Sequence, residues 1–366
     1  MKSSSKSSLC LVFNAKFASV SGNDPETLAA KRLRRFYLQA IARELLPDAR
    51  VNQCLRSVVP GSGCVNIHYS KKFERAHYGN LVQCASVWVD PVCSSKITER
   101  RRVELEDGLN RSPWPGVMIT LTLQHSRDDK LAALRRDLMA GKRELKNGGW
   151  WTRFSKRIGI VGSITSTETT YGLENGHHPH SHILELVDGH PDTEQIQAEV
   201  SKRFREIMTS RGRYVSPEIG VHVRATDQAA ADYISKWGAA FEISKAGAKR
   251  GKDGHYNPFE LLQLYAEGET WAGEVFREYA AAMKGVNQIR WSKGLRELLG
   301  LGAEVSDREL VEAPLEDDIL LASLTVKQWG VILKREKRGE LLEVASTGDA
   351  KLLRSYLMVL GVFLDS

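Results

Sequence analysis

The sequence predicts an α+β fold: an antiparallel sheet backed by helices on one face, preceded by a cysteine-containing module and followed by a helical extension. Three observations predict it. Runs rich in β-branched residues, with strand-like alternation, occupy 117–123 and 158–171, and a further apolar run closes the stretch 177–187. Between and after them, 129–146 and 192–210 read as helices, the second with Ile196, Val200, Phe204 and Ile207 in register. A Gly-rich turn, Gly172 to Gly176, is all that separates 158–171 from 177–187, which makes those two runs antiparallel neighbours.

Domain boundaries follow from the punctuation. Residues 1–110 form a front module, Pro113 and Pro115 mark a linker, 111–300 form the central domain, and 301–366 an appended helical piece. In the front module, Leu28, Leu33, Tyr37, Ile41 and Leu45 make a helical stripe over 26–46 that Pro47 closes, and a further helix is expected over 94–106. In the central domain, Ile119, Leu121 and Leu123 share one strand face while Thr120 and Thr122 share the other. A short strand is expected at 219–225, a helix over 226–240 and helix again over 258–284. Beyond 301, an acidic linker at 305–318 precedes two short helices around Gly339 and a last helix within 349–364.

Composition narrows the functional classes. With 366 residues and 42% hydrophobic content the chain can build a substantial core. Its net charge of +7 suits a polyanionic partner without demonstrating one. Five cysteines, an odd number in a long chain, argue against a secreted disulfide framework. No apolar run approaches the ~20 residues that span a bilayer, and Asn14 and Lys16 interrupt the short apolar patch at Leu9–Phe13 that a secretory signal would need. The expectation is a cytoplasmic protein with no membrane partner.

The chemistry concentrates in 177–187, which begins His-His-Pro-His-Ser-His. Strand alternation points His180 and His182 to one face, where two imidazoles can grip one divalent ion. Glu168, across the turn, would add a carboxylate and complete a site for Mg²⁺ or Mn²⁺; the competing reading is an ordinary cross-strand glutamate. His178 has the same parity, but Pro179 favours a loop there. On the expected helix after Thr226 or Asp227, Tyr233 and Lys236 stand three apart on one face, a phenol beside an ammonium. Trp150, Trp151 and Phe154 interleave with Arg153, Lys156 and Arg157; core aromatics under surface cations is the preferred reading, with DNA contact as the alternative. Residues 244–252, with Lys245, Lys249, Arg250 and Lys252 and no acid, could follow a phosphate backbone or be a solvated loop. Cys54, Cys64, Cys84 and Cys93 fall within forty residues, either as ligands of one structural Zn²⁺ or as idle thiols.

Three ordered motifs carry a resemblance: Met118-Ile119-Thr120-Leu121-Thr122-Leu123, His178-Pro179-His180-Ser181-His182 and Tyr233-Ile234-Ser235-Lys236, with further echoes at 84–93 and 288–295. Over about residues 50–300 the chain resembles plasmid rolling-circle replication initiators of the HUH endonuclease superfamily with a single catalytic tyrosine. The resemblance implies a palm-like nuclease core with the His pair on its open sheet face. It implies metal-assisted attack by Tyr233 on single-stranded origin DNA, aided by Lys236, giving a 5′-phosphotyrosine, a free 3′-OH primer and later rejoining. A host helicase and a single-strand binding protein are the further partners it implies. Two departures stand out. The family's pattern has a cysteine where this chain has Asp90, although a carboxylate can also ligate zinc. The position four before the nucleophile, where some relatives carry a second acid or tyrosine, is Ala229, leaving Asp227, Asp232, Glu242 or a second protomer to resolve the intermediate. A relaxase or single-strand transposase with the same chemistry, and a non-catalytic DNA-binding protein on the same fold, are the alternatives.

Overall fold

The computed structural model describes residues 27–226, 254–313 and 317–364. It is an α+β structure whose strand pairs are all antiparallel, and it divides into two compact units. One comprises the described residues up to Ile97 together with those from Ser306 onward; the other runs from Thr98 to Val305.

The first unit is built on a three-stranded sheet of order β2–β1–β9, in which β1 (Cys64–Ser70) lies between β2 (Arg75–Gly79) and β9 (Asp318–Thr325). Helix α1 (Leu28–Leu45) opens where the Thr27 side chain accepts the Ala30 N–H at 3.2 Å. It packs with helices α10 (Val326–Lys334), α11 (Arg338–Ala345) and α12 (Ala350–Val359) around Val65, Ile67, Leu324, Trp329 and Leu357. Buried Trp329 keeps its indole N–H satisfied by donating to the Arg56 carbonyl at 2.7 Å, and Tyr78 meets it edge-on.

The segment beyond 301 is therefore not an appended helical piece. Its strand β9 pairs with β1 from Cys64↔Thr325 to Ser70↔Asp318. In Asp-Ile-Leu-Leu-Ala-Ser-Leu-Thr only Ala322 and Leu324 are fully buried, with Leu321 packed partly against the same core, and a Leu-rich octet beside an acidic stretch carries no period-two signature. The expected linker contains a short helix, α9 (Asp307–Glu312), fixed by a capping box between Ser306 and Glu309. The two helices expected around Gly339 break earlier, at 335–337; Gly339 lies inside α11, where an added Cβ would come within 3.0 Å of Leu33.

Helix α2 (Pro91–Arg111) carries the chain from the first unit into the second. There the sheet order is β6–β3–β5–β4–β7, with β8 (Ile289–Trp291) also on β4. The strands are β3 (Gly116–Leu121), β4 (Ile160–Gly172), β5 (Gly176–Val187), β6 (Val221–Thr226) and β7 (His255–Tyr256). The β4–β5 hairpin is the expected one, in register from Ile160↔Val187 to Gly172↔Gly176. Gly176 closes it with φ +75°, and a Cβ there would lie 2.9 Å from the Arg127 backbone, so only glycine fits.

One sheet face, with Val117, Ile119, Leu121, Ile183 and Val187, buries under α3 (Leu131–Leu145), α4 (Gly148–Ile158) and α5 (Thr193–Ser210). Phe154, Phe204 and Leu138 fill that layer, and Trp150 and Trp151 pack half-buried against it. At one end of the opposite face, Met118, Ile164, Leu184 and Leu186 pack under Leu105 of α2 and Leu295 of α8 (Leu295–Leu298). The rest of that face carries the histidines.

Two local features depend on residues distant in sequence. Helix α3 has no side-chain cap of its own; its first N–H, on Leu131, donates to Glu278 of a later helix at 2.9 Å. The helix expected over 258–284 is two, α6 (Pro258–Ala266) and α7 (Thr270–Met283), broken at Gly268 with φ +110°. Buried Glu185 sits under the helical layer because Lys146 reaches it at 2.6 Å and the Ser163 hydroxyl donates to it.

Lys142, one turn back on α3, has no carboxylate partner among the described residues. Burial, and then the charges of Lys146 and Arg290, push its ammonium down to about 8. The unfolded chain, with an ordinary lysine near 10.5, binds more protons between those two values, so this group makes stability rise with pH from about 8 towards 10.5. Lys142→Met is expected to stabilise the protein at pH 7, with an advantage over wild type that shrinks as pH rises through that window. Urea unfolding across the pH range measures it.

Candidate functional site

Strand alternation brings His180 and His182 to the open face, as the sequence indicated, and the hairpin register sets Glu168 directly opposite His180. Candidate ligand atoms of Glu168, His180 and His182 all lie within 4.8 Å of one another. Glu168 Oε2 is 3.3 Å from His182 Nε2. His182 is 4% exposed, and Glu168 and His180 are half-buried, so the group keeps partial access to solvent. Burial, followed by the charge of His182, pushes the His180 imidazole down to about 3, which leaves it neutral at physiological pH. A neutral imidazole is the form that ligates a metal.

His178 belongs to strand β5 despite Pro179, and its ring stands 4.1 Å from that of His180. Its Nε2 is 2.9 Å from the Thr122 hydroxyl, and it is outside the three-residue ligand group. His125 and His255 complete a row of rings beside it, with centroids 4.6 Å and 6.2 Å from that of His178. Sequence reasoning missed both as neighbours. His125 ends β3's extension and His255 comes from a two-residue strand opposite Gly172, and neither has a local signature.

Other predicted residues fall elsewhere. Arg153, Lys156 and Arg157 are exposed on α4, in the helical layer against the sheet's other face, so they are not gathered around the histidines. Arg157 is engaged by Glu199 at 2.6 Å. Tyr233, Lys236, Lys245, Lys249, Arg250 and Lys252 lie outside the described residues, as do Asp227, Ala229, Asp232 and Glu242.

The cysteines form a second group, in the first unit. Cys54, Cys84, Asp90 and Cys93 are all buried, with candidate ligand atoms within 4.8 Å of one another. Cys54 and Cys93 sulfurs are 3.4 Å apart, and the Cys84 thiol donates to Asp90 Oδ2 at 3.0 Å. Cys64 is the correction: it opens strand β1, with its sulfur 3.5 Å from Asn66 Oδ1, and takes no part in the group. The Asp90 carboxylate thus occupies the cluster beside three thiols. Burial, then Cys93, pushes its pKa up to about 6, while contacts from Cys54 and Cys84 hold the Cys93 thiol well below its ordinary range.

The backbone is bent to make this cluster. Leu55 and Ala85, each following a cysteine of the group, have φ of 51° and 52°. The left-handed region costs a residue with a Cβ about 1 kcal/mol or more. In return, the Cys84 N–H points at the Cys54 sulfur at 3.4 Å. Gln39 fixes Asp90 by donating to both carboxylate oxygens, at 3.1 and 2.9 Å, and accepts in turn from Arg338 at 3.0 Å. Gln39 and Arg338 are 0% and 1% exposed, so the relay balances buried charge.

No protein-family model matches the chain, and no solved structure matches it. Among curated proteins it is similar to Protein rep of Streptomyces lividans, with 28% identity over 348 residues, covering 74% of this chain and 76% of that protein. It is also similar to the Neomycin resistance protein of Streptomyces cyanogenus, with 27% identity over 152 residues, but that match covers 34% of this chain and 35% of the relative. Among the described residues, no helix is long and apolar enough to cross a membrane.

Gln39→Leu removes the donor to Asp90 and the acceptor for Arg338 in one step. It is expected to cost about 3 kcal/mol of stability, read from denaturant unfolding, with Leu38→Met on the same helix nearly neutral.

Proposed function

We propose that the chain is a rolling-circle replication initiator that nicks and rejoins one strand of origin DNA through a tyrosine nucleophile. The convergence of Glu168, His180 and His182 on the open face of an antiparallel sheet carries this reading. The similarity to Protein rep over about three quarters of both chains supports it.

Two imidazoles and a carboxylate suit Mg²⁺ or Mn²⁺. Such an ion, held by Glu168, His180 and His182, would supply Lewis-acid neutralisation of charge on the scissile phosphate. Tyr233 attacks phosphorus through its phenolic oxygen as the bond to the 3′-oxygen breaks. The 3′-oxygen leaves and takes up a proton, so the products are a 5′-phosphotyrosine and a 3′-OH primer. Lys236 offsets the charge of the phenolate and of the phosphate. The reverse attack by a 3′-OH rejoins the strand and frees Tyr233. Lys245, Lys249, Arg250 and Lys252 track the single-stranded backbone. A host helicase unwinds the duplex ahead of the 3′-OH primer and a single-strand binding protein covers the strand set free, and this work takes place in the cytoplasm. In the other unit, Cys54, Cys84, Asp90 and Cys93 hold a structural Zn²⁺, the role that three thiols and a carboxylate in one buried cluster fit.

Labelled single-stranded oligonucleotides spanning the origin, incubated with Mn²⁺, are expected to give a denaturant-resistant protein–DNA adduct. Tyr233→Phe and EDTA should each abolish it. Cleavage that persists in Tyr233→Phe would overturn the assignment of the nucleophile. Elemental analysis of purified protein is expected to find one zinc per chain, lost in Cys84→Ser with a lowered Tm; zinc-free protein of unchanged stability would refute the structural metal.

A further inference from the structure

We infer that Thr120 is a positioning residue for His182, and that its hydroxyl satisfies the inner ring nitrogen in both the metal-free and the metal-bound protein. The inference rests on the reading of Glu168, His180 and His182 as a cation site. It concerns a residue on a different strand from all three.

Thr120 of β3 is the direct cross-strand partner of His182. Its Oγ1 lies 3.0 Å from His182 Nδ1, while Nε2 of the same ring lies 3.3 Å from Glu168 Oε2. The ring is thus held between a hydroxyl on one strand and a carboxylate on another. His182 is 4% exposed, so water cannot readily replace a lost partner at Nδ1. The contact comes from the strand register, which places a short β-branched side chain opposite the ring.

A neutral imidazole carries one proton on one of two nitrogens. Without a cation, the proton belongs on Nε2, facing the Glu168 carboxylate, and Nδ1 then accepts from the Thr120 hydroxyl. To ligate through Nε2, the ring must carry its proton on Nδ1 instead. The proton count of the ring is unchanged, solvent serving to relocate the proton. The hydroxyl then rotates and accepts where before it donated. A carboxylate or carbonyl, the usual partner of a metal-bound histidine, could only accept. It would favour the ligating tautomer permanently and bind the ion more tightly. A threonine leaves both tautomers satisfied, which suits a cation that enters and leaves with the substrate.

Flanking His182 on its other side is Ser166 of β4, also a direct cross-strand partner. Its buried hydroxyl has no hydrogen-bond partner among the described residues. It provides a matched control from the same face of the sheet.

The test measures Mn²⁺ binding to the full chain by calorimetry, with the Tm in EDTA recorded for every variant. Thr120→Val keeps the shape and removes the hydroxyl. It is expected to weaken Mn²⁺ roughly ten- to a hundredfold, the contact counting for more once the ion polarises the ring, while its Tm in EDTA falls by only a few degrees, the cost of the partner lost at the buried Nδ1. Thr120→Ser restores the hydroxyl and should restore affinity, and Ser166→Ala should leave it within about twofold. If wild type binds Mn²⁺ and His180→Ala abolishes binding, but Thr120→Val binds like wild type, this inference alone is overturned. If Thr120→Ser is as weak as Thr120→Val, the hydroxyl is not the active feature and the inference likewise fails. If wild type and His180→Ala bind Mn²⁺ equally, the cation-site reading falls, and the role of Thr120 with it.

Discussion

The register of β5 between β3 and β4 is the constraint on which the histidine face depends. It sets Glu168 opposite His180, and Thr120 and Ser166 opposite His182, in one stroke. A slip of β5 by one residue would turn His180 and His182 into the helical layer and bring Ser181 and Glu185 outward. Two devices hold it. At the hairpin end, Gly176 lies too close to the Arg127 backbone for any side chain. At the other, Leu184 and Leu186 pack under Leu105 and Leu295 on one face, while Ile183 and Val187 pack under the helices on the other. A strand buried on both faces has little freedom to shift, and the polar end of that strand inherits the precision of its apolar end.

Much of this face was legible in the sequence because strand alternation is a local rule. Residues 117–123, 158–171 and 177–187 declare their period, and the short turn between the last two declares their pairing. What could not be read was nonlocal. The cap on α3 comes from Glu278, and the partner that completes the first sheet comes from 318–325. His255 joins the ring row only because a two-residue strand happens to meet Gly172. The cysteines were legible as a set, yet not their membership. Spacing admits Cys64 as readily as Cys54; it is excluded because it stands at the head of a strand whose register faces it towards Asn66 and Asn80.

The two clusters handle buried charge by different means. Around the histidines, burial keeps the His180 imidazole neutral, and Glu168 and His180 stay half-buried rather than enclosed. Around the cysteines everything is enclosed, and a chain of donors from Arg338 through Gln39 ends on Asp90. The first arrangement suits groups that exchange partners, the second a fixed assembly. The left-handed Leu55 and Ala85 belong to the second kind, since backbone strain of that sort persists only where its surroundings over-determine it.

The pairing of β1 with β9 also has a temporal side. Strand β1 leaves the ribosome about 250 residues before the strand that completes its sheet, a delay of roughly 10–50 s at ordinary elongation rates. The segment from Thr98 to Val305, which holds its whole sheet within itself, is finished during that interval. The strand made earlier is thus the later to be closed, and until β9 arrives, one edge of β1 waits with its backbone donors and acceptors unpaired.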